Sequence, residues 1–177
     1  MMQQIAENSP GPKVRLTGVV YLLYFLTAPA TQLFTHRPAL YIAINLISFA
    51  FYIAVTLLFY YLFKPVNRIL SLLAALFSLA GCADAILALF NRAPRKIDPL
   101  LFFGPFCILI GYLIFRSTFL PRILGVLMAL AGVGWLIFLS PRAARLSAVI
   151  EVFGFIAEAS LMLWLVVKGV NVERWKE

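Results

Sequence analysis

RLSAVIEVFGFIAEASLMLWLVVK, residues 145–168, is an almost unbroken apolar run that carries two carboxylates, Glu151 and Glu158. About 20 such residues cross the hydrocarbon core of a bilayer as a helix. The two acids stand seven positions apart, two helical turns, which places them on one face and about 10 Å apart along the axis. A carboxylate facing lipid is costly, so that face is expected to look into a bundle.

Composition agrees with this reading. The chain is 63% hydrophobic and 12% charged, with a mean hydropathy of +0.97, well outside the range of soluble domains. With 177 residues and apolar runs throughout, no room is left for an extramembrane domain. The net charge of +8 does not indicate nucleic acid, because the Lys and Arg residues come singly or in twos and threes between apolar runs. There they orient helices and meet anionic headgroups.

The expected fold is all-α: a polytopic membrane protein with six transmembrane helices in one bundle and short loops. The spans fall at about 16–34, 39–63, 69–90, 100–115, 123–139 and 146–167, between a flexible tail at 1–14 and a short tail at 169–177. Pro10-Gly11-Pro12 reads as incompatible with a helix in the first tail. Pro29 is expected to kink the first span and free a backbone carbonyl. Lys13 and Arg15 before this span and Ala28-Pro29-Ala30 within it also imitate a secretory signal with its cleavage site, although another hydrophobic span follows. Tyr41, Tyr60 and Tyr61 read as interfacial anchors of the second span. The fourth span is short and has Gly104-Pro105 near its start, so it begins in the interface or bends. Ala80-Gly81-Cys82-Ala83, together with Gly125, Gly132 and Gly134, offer small positions where helices approach closely. Lys168-Gly169 makes a usual helix stop.

Six spans put both ends on one side of the membrane. Nine Lys and Arg fall on that side and six on the other, so the positive-inside rule places both termini in the cytoplasm of an inner (plasma) membrane protein.

From Phe102-Phe103-Gly104 onward the chain resembles an uncharacterised bacterial membrane family, a domain of unknown function. The resemblance is most specific in Gly111-Tyr112-Leu113-Ile114-Phe115-Arg116-Ser117, Phe119-Leu120-Pro121-Arg122-Ile123-Leu124-Gly125 and Leu130-Ala131-Gly132. Glu158, Leu163-Trp164-Leu165 and Val167-Lys168-Gly169-Val170-Asn171 are similar to the family's closing helix and tail. Arg15-Leu16-Thr17-Gly18 and Lys64-Pro65-Val66-Asn67-Arg68 extend the likeness more weakly toward the start. The resemblance implies a membrane bundle and brings no established activity. Between the first two spans the chain is shorter than its relatives, which carry a longer polar connection there.

Depth within the spans suggests a polar pocket. Asp84 and Glu151 each lie about six residues, roughly 9 Å, below the non-terminal surface. Gln32 and Asn45 fall at similar depth and Glu158 nearer the midplane. The candidate pocket is therefore Gln32, Asn45, Asp84, Glu151 and Glu158. The competing reading is that each acid pairs with an Arg or with helix hydroxyls and amides, as structural glue. Arg68, Arg116 and Arg122 are candidate headgroup contacts on the terminal side.

Cys82 and Cys107 lie in apolar runs, and no disulfide is expected. His36 is the one histidine, which rules out bis-His haem ligation within one chain. No cofactor or metal is expected, and no nucleophile triad, zinc signature or nucleotide loop appears. A loose echo between Tyr61–Leu70 and Tyr112–Leu124 leaves parallel repeats open alongside chance similarity of Leu-rich sequence.

The leading expectation is a non-catalytic bundle accommodating a lipid-like ligand or a membrane partner. A proton-coupled carrier using Glu158 and Glu151 comes second, and an intramembrane acid/base enzyme built on Asp84 and Glu151 third.

Overall fold

The structure, a computed structural model, describes residues 10–91, 98–140 and 145–170. The readings of residues 1–9, 92–97 and 171–177 given above concern positions outside these. The described residues contain no strand and form six α-helices. These are α1 (Pro10–Ala30), extended by a 3₁₀ turn (Thr31–Phe34), α2 (Pro38–Phe63), α3 (Arg68–Asn91), α4 (Leu100–Arg116), α5 (Arg122–Phe138) and α6 (Ser147–Val167).

The protein is an all-α bundle of membrane character. Lys13–Phe34, Pro38–Phe63, Arg68–Phe90 and Ser147–Val167 are long and apolar enough to cross a bilayer. Helices α4 and α5 are apolar but 17 residues each, about 25 Å long and so shorter than a typical hydrocarbon core.

One local expectation is overturned. Helix α1 starts at Pro10, so Pro10-Gly11-Pro12 belongs to a helix and not to a non-helical tail. The reason lies in helix termini: the first-turn N–H groups have no intrahelical acceptor, so a proline there removes nothing and its fixed φ suits the turn. Pro29 lies at the other end, where α1 remains helical for one more residue before tightening into the 3₁₀ turn.

Short polar residues set the other boundaries. Asn67 Oδ1 accepts the Leu70 N–H at 3.0 Å and opens α3, and Asp98 Oδ1 accepts the Leu100 N–H at 2.9 Å and opens α4. Pro38 occupies the first turn of α2. Helix α6 stops where Lys168 and Gly169 both donate to the Trp164 carbonyl, with Gly169 at φ 69°, a backbone state that glycine adopts without strain.

Each helix packs on its chain neighbours, and α6 returns to pack on α1, so the six close into a ring. The tightest seam is α4 against α5. A β-carbon on Gly111 would come 2.6 Å from the Gly125 carbonyl oxygen, and one on Gly125 would come 2.7 Å from the Phe115 nitrogen, so the backbones touch. Gly104 and Gly132 repeat the approach one heptad away, which accounts physically for the small positions expected at Gly125 and Gly132. Gly134 meets only the Ile150 side chain. At the α1–α6 seam Gly18 lies against the backbone of Leu165 and Val166.

The ring's centre is filled. Phe59, Phe63, Cys107, Ile110, Leu113, Ile114, Met128, Leu161 and Leu165 are buried there, while long side chains such as Leu26, Leu87, Val149 and Val152 face outward. That inversion, a packed centre and a greasy exterior, is the arrangement expected of a bundle solvated by lipid.

Candidate functional site

The centre of the ring carries a thread of polar groups. Glu158, 8% exposed on α6, accepts a hydrogen bond from the Tyr21 hydroxyl on α1 at 3.0 Å. Cys107 of α4, fully buried, lies near the same carboxyl group. Beyond Tyr21, the Tyr24 and Tyr52 rings of α1 and α2 sit 4.9 Å apart, and Tyr52 has a side-chain hydrogen bond with Ser78 of α3. Ser78 and Thr56 share a hydrogen bond of 2.5 Å, and the Thr56 hydroxyl also donates to the Tyr52 carbonyl. The hydroxyls of Tyr21, Tyr52, Thr56 and Ser78 thus each find a partner on a neighbouring helix or one turn back, as hydrocarbon surroundings require.

Two cavities flank this thread at the end of the ring away from the termini, and both reach Tyr24 and Ala28 of α1. The first, about 280 Å³, lies among α1, α2, α3 and α4. Its walls are mainly apolar and include the rings of Phe49, Phe77, Phe102 and Phe103 besides the two tyrosines, with Thr31, Asn45, Ser48 and Ser78 supplying polar edges. The second, about 270 Å³, is walled by α1, α5 and α6 through Tyr24, Phe25, Pro29, Trp135, Glu151, Phe155 and Glu158.

The five residues of the expected pocket therefore separate. Glu151 and Glu158 line the second cavity together, Glu158 buried and Glu151 exposed near its mouth. Asn45 lines the first cavity and donates to the Tyr41 carbonyl one turn back. Gln32 is exposed, and Asp84, half-buried, lines neither cavity. Asp84 Oδ2 is buried without a hydrogen-bond partner among the described residues. Matching depths do not bring Asp84 and Glu151 together because the ring places α4 and α5 between α3 and α6 on one side, and α2 and α1 on the other.

Arg68, Arg116 and Arg122 are exposed at the terminal end, and the Arg122 guanidinium lies 5.7 Å from the Phe115 ring centroid. Among the described residues no three His, Cys, Asp or Glu side chains gather as a metal ion would require. Cys82 and Cys107 are free and buried.

Sequence reasoning missed Tyr21, Tyr24, Tyr52, Thr56 and Ser78. The signal was present: Tyr21 with Tyr24, and Tyr52 with Thr56, stand three and four residues apart in mid-span, away from the interface where tyrosine usually sits. Tyr21→Phe is expected to lower stability by about 1 kcal/mol, the size of a lost hydrogen bond to a buried acceptor. In Tyr21→Phe/Glu158→Leu neither partner is orphaned, so part of that loss should return. Thermal unfolding of the four proteins in detergent checks this, and strict additivity would contradict the pairing.

Comparison with known proteins adds kinship. A family model described as a domain of unknown function (DUF4386) matches residues 98–169. An uncharacterised protein of Archaeoglobus fulgidus is 30% identical over 128 residues, covering 66% of this chain and 76% of the relative. No solved structure matches the chain.

Proposed function

The chain belongs to the family described as a domain of unknown function (DUF4386), and from that premise we propose that it is a multi-pass, non-catalytic membrane bundle that holds a lipid-like ligand. The observation that carries this reading is the cavity among α1, α2, α3 and α4. Its wall is mostly apolar with six aromatic rings in it, no described Lys, Arg or His lines it, and hydroxyls and Asn45 fringe it. Apolar walls with a few polar groups are the usual make-up of a site for an apolar molecule with a small polar end. Both termini face the cytoplasm in this reading, supported by the cations Lys13, Arg15, Lys64, Arg68, Arg116, Arg122 and Lys168 at the terminal end. The three arginines Arg68, Arg116 and Arg122 then meet anionic headgroups.

Acid/base chemistry on a lipid has less behind it, since Glu151 lines the second cavity and Asp84 lines neither of the two. A proton-coupled carrier keeps Glu151 and Glu158 on one wall, without a described Lys, Arg or His beside them to tie their protonation to alternating access.

The test fills the cavity. Ala85, buried on its wall, is replaced by Phe, and both proteins are purified in non-ionic detergent and weighed by native mass spectrometry. The unaltered protein is expected to carry a small apolar adduct that Ala85→Phe reduces at least fivefold with helix content unchanged. Equal adduct in both, or none in either, would refute a ligand in this cavity. A protein-sized adduct insensitive to Ala85→Phe would point instead to a membrane partner.

A further inference from the structure

The second cavity has a different chemistry from the first. Glu158 forms part of its floor, nine-tenths buried at about mid-helix, and Glu151 stands two turns nearer the mouth. The walls include four aromatic rings, Tyr24 and Phe25 of α1, Trp135 of α5 and Phe155 of α6, with the Phe25 and Phe155 centroids 5.4 Å apart. Trp135 Nε1 is itself buried without a hydrogen-bond partner among the described residues. No described Lys, Arg or His lines this space; the described cations of the same end, Arg37 and Arg145, are exposed and line neither cavity.

A carboxyl group buried in a membrane protein normally faces a cation, a proton relay or a water-filled path. Glu158 has a tyrosine hydroxyl and a nearby thiol, both without positive charge. The space beside it is bounded by four aromatic rings, a residue type whose faces attract a cation that has shed its water. An inorganic ion would need several oxygen ligands, and the described wall offers two carboxylates two turns apart and one tyrosine hydroxyl. A bulky organic cation needs no such shell: its methyl and methylene groups rest on the rings while its charge faces Glu158. We infer that the cavity among α1, α5 and α6 is a binding site for an organic ammonium ion, with Glu158 as counter-ion, the rings of Tyr24, Phe25, Trp135 and Phe155 as walls, and Glu151 as the entry charge. This site is separate from the lipid-like site and does not rest on it.

The experiment uses two probes of one shape and different charge, phenyltrimethylammonium and its neutral carbon isostere tert-butylbenzene. Each is titrated calorimetrically into the full-length protein in dodecyl maltoside. The cation is expected to bind saturably and at least tenfold more tightly than the isostere. Glu158→Gln should weaken cation binding at least tenfold and Glu151→Gln about threefold, with the isostere unaffected by either. Phe155→Leu changes a side chain that is 60% exposed, so the fold survives it, and should weaken the cation alone by about threefold. Ala85→Phe, in the other cavity, should change nothing. Equal affinity for the two probes, or cation binding unchanged in both Glu158→Gln and Phe155→Leu, would overturn the assignment, as would absence of saturable binding to the folded protein. Adding phosphatidylcholine to the micelles separates two sources of the same chemistry. Displacement of the probe assigns the site to a choline headgroup, and retention assigns it to a free amphiphilic amine; both keep the ammonium site.

Discussion

Gly125→Leu is expected to destabilise the bundle by about 3 kcal/mol or more, at the upper end of what overpacking costs. A single β-carbon on Gly125 already falls 2.5 Å from the Gly111 carbonyl oxygen and 2.7 Å from the Phe115 nitrogen, both backbone atoms that move only if α4 and α5 separate. The larger side chain has no rotamer that avoids this, because the obstruction is at Cβ. Separation would also part Gly104 from Gly132, whose approach depends on the same axis distance. Gly134→Ala is the control. Its β-carbon meets only the movable Ile150 side chain at 3.2 Å, and alanine is the better helix former by about 1 kcal/mol, so this change should be neutral or stabilising. Denaturation in mixed dodecyl maltoside and sodium dodecyl sulfate measures both. Similar effects at Gly125 and Gly134 would contradict the close seam.

Phe63→Ala is expected to cost about 2–3 kcal/mol. Phe63 has no exposed surface and lies near the C-terminal end of α2, with ring centroids 6.0 Å from Phe59 and 6.1 Å from Phe119. In a micelle the unfolded helices remain in apolar surroundings, so the transfer part of the usual penalty is reduced and the cavity part persists. At about 24 cal/mol per Å³, a void of roughly 100 Å³ gives about 2.4 kcal/mol. The consequence is local as well as global. Phe119 and Leu120, with Ser117, form the buried link between α4 and α5, and the ring of Phe63 is part of what covers it. Hydrogen exchange at residues 117–120 should therefore quicken in Phe63→Ala more than the overall stability loss alone accounts for. Uniform loosening across the bundle would show that Phe63 anchors nothing in particular.

Both predictions fall in or against the segment from Gly111 to Gly132, where the family resemblance is most specific. In the fold this segment is the tightest helix seam and the buried link that joins its two helices. The motif therefore has a packing explanation, complete without any ligand. Among the described residues, the buried polar atoms with no such explanation are Asp84 Oδ2 and Trp135 Nε1, neither of which has a hydrogen-bond partner there.

The number of helices, their all-α character and their membrane composition were legible in the sequence because a bilayer leaves few choices. Every backbone polar group must be satisfied within the segment, so apolar runs of sufficient length become helices wherever they occur. The inward orientation of Glu158 followed from the same cost. The start of α1 at Pro10 departs from the expected non-helical tail because proline breaks a helix only in its interior, and in a first turn it breaks nothing.

Sequence by itself thus determined what each stretch is and how deep each residue lies along its own helix. Only the tertiary structure decided which helices stand side by side, and so which equal depths mean proximity. Asp84 and Glu151 share a depth and are kept apart by the ring. Glu151 and Glu158, the pair on one helix face, share a cavity, with walls that Trp135 completes from the preceding helix and Phe25 from α1, far away in the chain. The ring is closed by the backbone approach of Gly18 to Leu165 and Val166, an interaction between distant segments that no local periodicity encodes.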